Sequence, residues 1–322
     1  MIAFVVRRLV LAVLVVVAAT TLAFAVLRLA PGDPFTATVE QVGGSDAARA
    51  TLRARYGLDQ PIAAQYLTYL ALVARGDLGP SIVEPRSAAE IIRGALPNTL
   101  LLMGTSIALA FVGGVVIGTW QASGAGGTGD RLTSRVGLIL YSVPEFWLAL
   151  VALLVFAYHL RWFPLGGVTS PLAFMLSPGD RLLDRLHHLA LPALVLATVN
   201  AAVVARFQRE AMLDVLPEPW LRAARARGLS ERRTIGRHAL RAALAPIATL
   251  FGLAFPALLG GAVLVERVFA WPGMGYVTIN AIAQRDYFVV TAAVIVGAIM
   301  TAVGSLVADL LHAALDPRVR VA

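Results

Sequence analysis

Six long stretches of this 322-residue chain carry almost no charge, and they decide what it can fold into. Between Arg8 and Arg28 lie 19 uncharged residues, between Arg93 and Asp130 36, and between Arg185 and Arg206 20. Between Arg241 and Glu266 lie 24, and between Asp286 and Asp309 22. The 25 residues between Arg135 and Arg161 hold a single acid, Glu145. A helix crossing the ~30 Å hydrocarbon core needs about 20 largely apolar residues. Six transmembrane helices are therefore expected. Composition agrees: 58% of residues are hydrophobic and 14% charged, against about 45–50% and about 25% in soluble domains. A soluble globular domain and a disordered chain are both excluded. Arg7 and Arg8 precede the first stretch, and Ala23-Phe24-Ala25 looks like a signal cleavage site. The apolar run nevertheless exceeds the roughly 7–15 residues of a signal core, so an uncleaved helix is expected.

Charge placement orients the spans, because Arg and Lys accumulate on the cytoplasmic side. All 27 basic residues are Arg. With six spans both termini share one side, together with the 122–135 and 206–241 loops. That side holds 15 Arg, and the 206–241 loop alone has nine against four acids. The two shorter loops opposite hold five, and the long 28–94 segment balances seven Arg with seven acids. Both termini are therefore expected in the cytoplasm. The net charge of +8 reads as a topology signal, and binding of nucleic acid is not expected.

The absence of Lys and Cys removes whole classes of chemistry. There is no lysine for a Walker A loop or a Schiff base, and no thiolate for catalysis or metal. No Ser/His/Asp triad or His-Glu-x-x-His pattern appears, so no enzyme site is expected. His159, His187 and His188 sit near span ends, where a structural role is expected.

Several segments predict local structure. Pro31-Gly32-Asp33-Pro34 stops the first helix. Asp46 would cap a short helix through Tyr56. Asp59-Gln60-Pro61 would start another, with Ile62, Tyr66, Tyr69, Leu70 and Val73 on one face. That helix would lie on the membrane, cover a partner or cap the outer span ends. Gly114 and Gly118, four apart beside Gly113, would let helices approach closely. Gly260, Gly261, Gly297 and Gly304 are expected to act similarly. Pro144 breaks the third span and Pro256 the fifth. Pro144 and Glu145 are candidate pathway-lining residues, because an acid within a span costs about 2.5–3.5 kcal/mol unless paired or hydrated. A packing kink is the alternative.

The segment from Arg206 to Arg241 is the most informative. Pro219 suits the first position of a helix, residues 220–227 have good helix propensity, and Gly228 can end the helix in a left-handed cap. The expected product is a short projecting helix, small on one face (Ala223, Ala224, Ala226) and cationic on another (Arg222, Arg225). It would fit a groove of a cytoplasmic partner, or lie on lipid phosphates. Ser230 would begin a further helix toward the fifth span.

Arg222-Ala-Ala-Arg-Ala-Arg-Gly228-Leu-Ser, followed by His238-Ala-Leu-Arg, resembles the EAA loop of ABC-importer permeases. It is most similar to the dipeptide/oligopeptide/nickel (DppB/OppB-like) subfamily. Supporting segments are Leu29-Ala-Pro-Gly-Asp-Pro34, Leu96-Pro-Asn-Thr-Leu100, Phe269-Ala-Trp-Pro-Gly-Met-Gly275, Arg285-Asp286-Tyr287, Asp309 and Asp316-Pro-Arg318. The chain departs from the pattern at Pro219, Arg222 and Arg227, where an acid, Glu and Lys are usual.

The resemblance implies an all-α type I ABC importer membrane fold of six helices. Residues 1–94 would hold the first span and an external cap, 95–312 the transmembrane domain with its coupling loop at about 206–245, and 313–322 a cytoplasmic tail. It also implies that Glu218, Trp220, Arg222, Ala223, Ala224, Arg225 and Gly228 couple the chain to one or two ATP-binding subunits. Those subunits would bind ATP and Mg, leaving this chain without a cofactor or metal. A second homologous permease would complete the pathway, and an external solute-binding protein would deliver di- or oligopeptides. Nickel chelates or glutathione-like peptides are the alternative cargo. A secondary transporter or channel is the rival class, disfavoured because ion-coupled carriers place several ionisable groups within their spans.

Overall fold

A computed structural model describes residues 2–29 and 60–315 of the chain. The turn at Pro31, the helix expected after Asp46, and Asp316-Pro-Arg318 lie outside the described residues. Each sequence stretch coincides with a helix or helix pair: α1 Ile2–Leu29, α3 Ala88–Ser123, α4 Thr128–Ser142 with α5 Glu145–Ala152, α6 Pro178–Val215, α8 Ala245–Val268 and α10 Tyr287–Leu315. Between them lie α2 Ile62–Ala74, α7 Pro219–Ala226 and α9 Met274–Ala283. Among the described residues, four helices are long and apolar enough to cross a membrane, and a bent pair makes a fifth candidate. The sixth stretch is occupied by the 24-residue α8.

The bent pair is the third span. α4 and α5 meet at 104°. Pro144 has no N–H to donate and disfavours helical backbone in the residue before it. Val143 accordingly takes ψ 129° and Pro144 ψ 133°. The break expected at Pro144 is present. α5 then continues in wider i→i+5 turns through Leu153–His159. At Pro256 the expectation fails, since α8 runs through that residue without interruption. The helix also begins earlier than Arg135 suggested, at Thr128.

The chain forms two compact units, one of Met1–Thr99 with Pro272–Val303, the other of Leu100–Trp271 with Gly304–Ala322. In the first, Ala23 of α1, Tyr69 of α2 and Ile295 of α10 form a small apolar cluster. The Phe24 ring lies 5.4 Å from Tyr66 and 5.5 Å from Tyr69, and the Thr21 and Tyr66 hydroxyls are 2.7 Å apart. Burial pushes the Tyr69 phenol up to about 12, partly countered by its hydrogen bond with Thr291. So α2 caps the ends of α1 and α10. Ile62, expected on the same face, stays 68% exposed and outside that cluster.

Several segments singled out in the sequence meet in this unit. Asn98 donates to the Pro272 carbonyl at 2.9 Å, and Thr99 Oγ1 accepts the Met274 N–H at 2.7 Å. These bonds join the Pro-Asn-Thr segment to Trp-Pro-Gly-Met-Gly. Asp286, 2% exposed, accepts Ser81 Oγ, the Ile82 N–H at 3.2 Å and the Val289 N–H at 3.3 Å. It thereby caps α10 while holding the turn before α3.

The second unit has the larger core: Leu102, Met103, Ile107, Ala149, Leu196, Val265, Phe269 and Trp271 are among its buried residues. α3 and α6 pack with little separation. A Cβ on Gly118 would stand 2.3 Å from the Ala205 carbonyl oxygen, and one on Gly114 2.5 Å from Val204 Cβ. The small-residue spacing thus marks a real close approach. Gly113 and, in the first unit, Gly297 face open space within 4 Å, so the expectation fails for them. Histidines near span ends act structurally: His188 Nδ1 donates to the Asp184 carbonyl at 2.8 Å, and His187 Nε2 to that of Trp162 at 2.7 Å.

Candidate coupling surface

The loop expected from residue 206 begins later, because α6 stays helical to Val215. Its 38 residues span about 57 Å at 1.5 Å per residue, well beyond the hydrocarbon core. Arg206, Arg209 and Glu210 ride on this extension. Helix breaks then come in quick succession at Pro217 and Pro219.

α7 is two turns long with Pro219 in its first turn and Glu218 at its N-cap, where the Glu218 side chain makes no capping bond. Its end is a double-bonded left-handed cap. Gly228 has φ +85°. Its N–H bonds the Arg225 carbonyl at 2.9 Å, and the Leu229 N–H bonds that of Ala224 at 3.3 Å. This is the 5→2 and 6→1 pair of the Schellman motif. Glycine is favoured there because a Cβ is strained at positive φ.

Helical spacing sets which side faces inward. Leu221, Ala224 and Arg225 are three and four apart and share a face. Leu221 is fully buried and Ala224 is 5% exposed. Leu221 seats in a cluster with Ala122 of α3, Ala211 and Met212 of α6, and Ala239 and Ala243. Arg225 makes a two-pronged pair with Glu231, both contacts at 3.0 Å, and that carboxylate raises the guanidinium above its ordinary value. The face division expected from sequence therefore changes. Ala224 belongs to the seat, and Arg225 is tied back to its own loop. What α7 presents to solvent is Trp220 at 43% exposure, with Arg222, Ala223, Ala226 and Arg227. Gly228 is exposed beside them.

Between α4 and the extension of α6 lies an ion pair that sequence reading passed over. Asp130, in the first turn of α4, is 5% exposed. Its two oxygens accept Arg209 Nε at 2.7 Å and Nη2 at 2.8 Å. It also accepts the Gly126 N–H at 2.9 Å and Ser134 Oγ at 3.3 Å. Gln121 of α3 donates to Thr133 Oγ1 of α4 at 2.9 Å. The glycine-rich turn is thus closed tightly. Its only advance signal was an acid in the first turn of a helix, where the macrodipole favours it.

Pro144 and Glu145 sit at the α4–α5 bend, away from this surface in sequence. Glu145 opens α5 and is half-buried. The Asn200 side chain of α6, which donates to the Leu196 carbonyl at 2.8 Å, lies beside its carboxyl, a neighbour that the span count had not supplied.

A family model described as "Binding-protein-dependent transport system inner membrane component" matches residues 114–321, and its N-terminal companion matches residues 1–102. The chain is 40% identical over 323 residues to the oligopeptide transport system permease protein AppB of Bacillus subtilis, covering 99% of each. It is 34% identical over 336 residues to the dipeptide transport system permease protein DppB of Escherichia coli K12, and over 323 residues to the glutathione transport system permease protein GsiC of Salmonella paratyphi A. Each match covers 99% of both chains. The matching fold is the all-α type I ABC importer membrane fold. With its transport family on both halves and several membrane-length helices, the chain belongs to the binding-protein-dependent transport system inner membrane components, which are multi-pass transport subunits rather than enzymes.

Proposed function

We propose that this chain is one of two permease subunits of an ATP-driven importer for di- or oligopeptides in a bacterial inner membrane. The observation that carries the reading is full-length similarity to permeases named for oligopeptide and dipeptide transport. In this reading both termini and α7 face the cytoplasm, in keeping with the Arg distribution. α7 is the coupling helix: Trp220, Arg222, Ala223 and Arg227 enter a groove of an ATP-binding subunit, while Ala224, Arg225 and Gly228 hold the helix in shape. Glu218 starts it. ATP and Mg bind on one or two such subunits. Their closure moves α7, and the two permeases alternate access to a pathway between them. An external solute-binding protein delivers the peptide. Pro144 and Glu145 line the pathway at the bend of the third span. Residues 1–94, 95–312 and 313–322 divide the chain into first span with cap, transport domain and tail.

A second cargo has a specific observation behind it, the match to a glutathione permease. Reconstitution with the products of neighbouring genes tests both. Proteoliposomes holding the full complex, the binding protein and internal ATP should accumulate labelled di- or tripeptides, with glutathione as the competing probe. Uptake that persists with an ATPase-inactive partner would favour a secondary carrier and overturn the assignment. Accumulation of glutathione alone would move the cargo to the second reading.

A further inference from the structure

We propose that the Asp130–Arg209 pair is the positioning clamp that carries movement of α7 into the membrane helices, an inference that rests on α7 being the coupling helix. Three helices converge at this point. Arg209 lies on the extension of α6, Asp130 begins α4, and Gln121 near the end of α3 bonds Thr133 of α4. Met212, one turn beyond Arg209, shares its buried cluster with Leu221 of α7 and Ala122 of α3. Gly118 brings α3 against the backbone of α6 at Ala205 and Arg209. The seat of α7 thereby includes α3 and α6, the two helices tied to α4 here, together with Ala239 and Ala243.

Charge makes this tie stiff. Charge-assisted, two-pronged Arg–carboxylate bonds fix direction as well as distance. Asp130 is 5% exposed, and the Arg209 side chain is 28% exposed. Removing one partner leaves the other charge uncompensated in a poorly hydrated place. A turn staple would need only Asp130 with Gly126 and Ser134. The bond to Arg209 reaches across 79 residues of chain and links α4, which leads directly into the bend at Pro144, to the helix that carries α7. A push on α7 therefore reaches the third span through this pair.

The test uses the complete reconstituted importer with Asp130→Asn, Arg209→Met, Arg209→Lys and the Asp130→Asn/Arg209→Met double variant. Asp130→Asn keeps the shape of the side chain and its acceptor for Gly126 while removing the charge. Solute imported per ATP hydrolysed should fall at least tenfold in each neutral variant. Basal ATP turnover and co-purification of the subunits should persist. The double variant should be no worse than either single one, and Arg209→Lys should recover part of the coupling. An unchanged solute-to-ATP ratio would overturn the clamp, as would a proportional loss of uptake and turnover, the signature of a purely structural staple. Should Asp130→Asn fail to assemble, Arg209→Lys and hydrogen exchange of residues 216–229 decide: unaltered coupling and exchange refute the proposal. If the wild-type complex shows no binding-protein-stimulated turnover, the coupling reading itself fails and takes the clamp with it.

Discussion

Single residues carry sharp demands in this chain. Gly228 has φ +85° with open space around it, so what a side chain meets there is backbone strain alone. Gly228→Ala should cost about 1–2 kcal/mol of local stability, seen as faster amide exchange at Gly228 and Leu229, with uptake reduced and expression unchanged. Gly118 is the opposite case. Its Cβ would fall 2.3 Å from a backbone oxygen, which α6 cannot avoid without moving. Gly118→Ala should destabilise the purified chain by about 1–3 kcal/mol, whereas Gly113→Ala, with nothing within 4 Å, should leave the thermal midpoint unlowered, since alanine is the better helix former by about 0.5–1 kcal/mol. The comparison of these two glycines of α3 is the measurement. Asp286→Ala strips three donors of their acceptor. A loss of about 1–3 kcal/mol is expected for donors left unsatisfied, again read from thermal unfolding in detergent.

At the scale of elements, α7 is too short to persist on propensity alone, since isolated helices below about 12 residues are marginal in water. It is held by Leu221 in its socket, by the Gly228 cap and by Arg225 tied to Glu231. Leu221→Ala should cost about 2–5 kcal/mol, loosening α7 before the spans. The expected readout is a rise in amide exchange confined to residues 217–229 with transport impaired. Exchange that rises equally in α6 would show that the helix has no independent seat. The presence of α7 was legible from Pro219, the Ala/Arg run and Gly228. Its facing was not: Ala223 and Ala224 are alike in sequence, and only the socket for Leu221 settles which one is buried. Similarly, Pro144 announced a break in the third span, but the 104° between α4 and α5 depends on what each half packs against.

For the whole molecule, the reading of a transport subunit driven from outside makes a plain prediction. Purified without partners, the chain should neither bind nor hydrolyse ATP, since it has no lysine for a nucleotide loop. Isothermal titration and a phosphate-release assay check this, and turnover by the isolated chain would refute the division of labour. Glu145→Gln tests the pathway assignment: substrate uptake by the complex should change while assembly does not. Unaltered uptake would reduce Glu145 to a tolerated polar group beside Asn200.

Local and compositional properties of the sequence determined much of this protein. Long uncharged runs set the spans, because unsatisfied backbone groups have no partner in hydrocarbon and must bond within a helix. Arg placement set the expected orientation, and proline and glycine set where helices start, bend and stop. Tertiary structure alone decided the pairings: Asp130 with Arg209, Asp286 with the turn at Ser81, Asn98 with Pro272, and Leu221 with Met212. These partners are separated by up to 205 residues. Which distant groups meet depends on how whole helices pack, a choice that no local preference in the chain encodes.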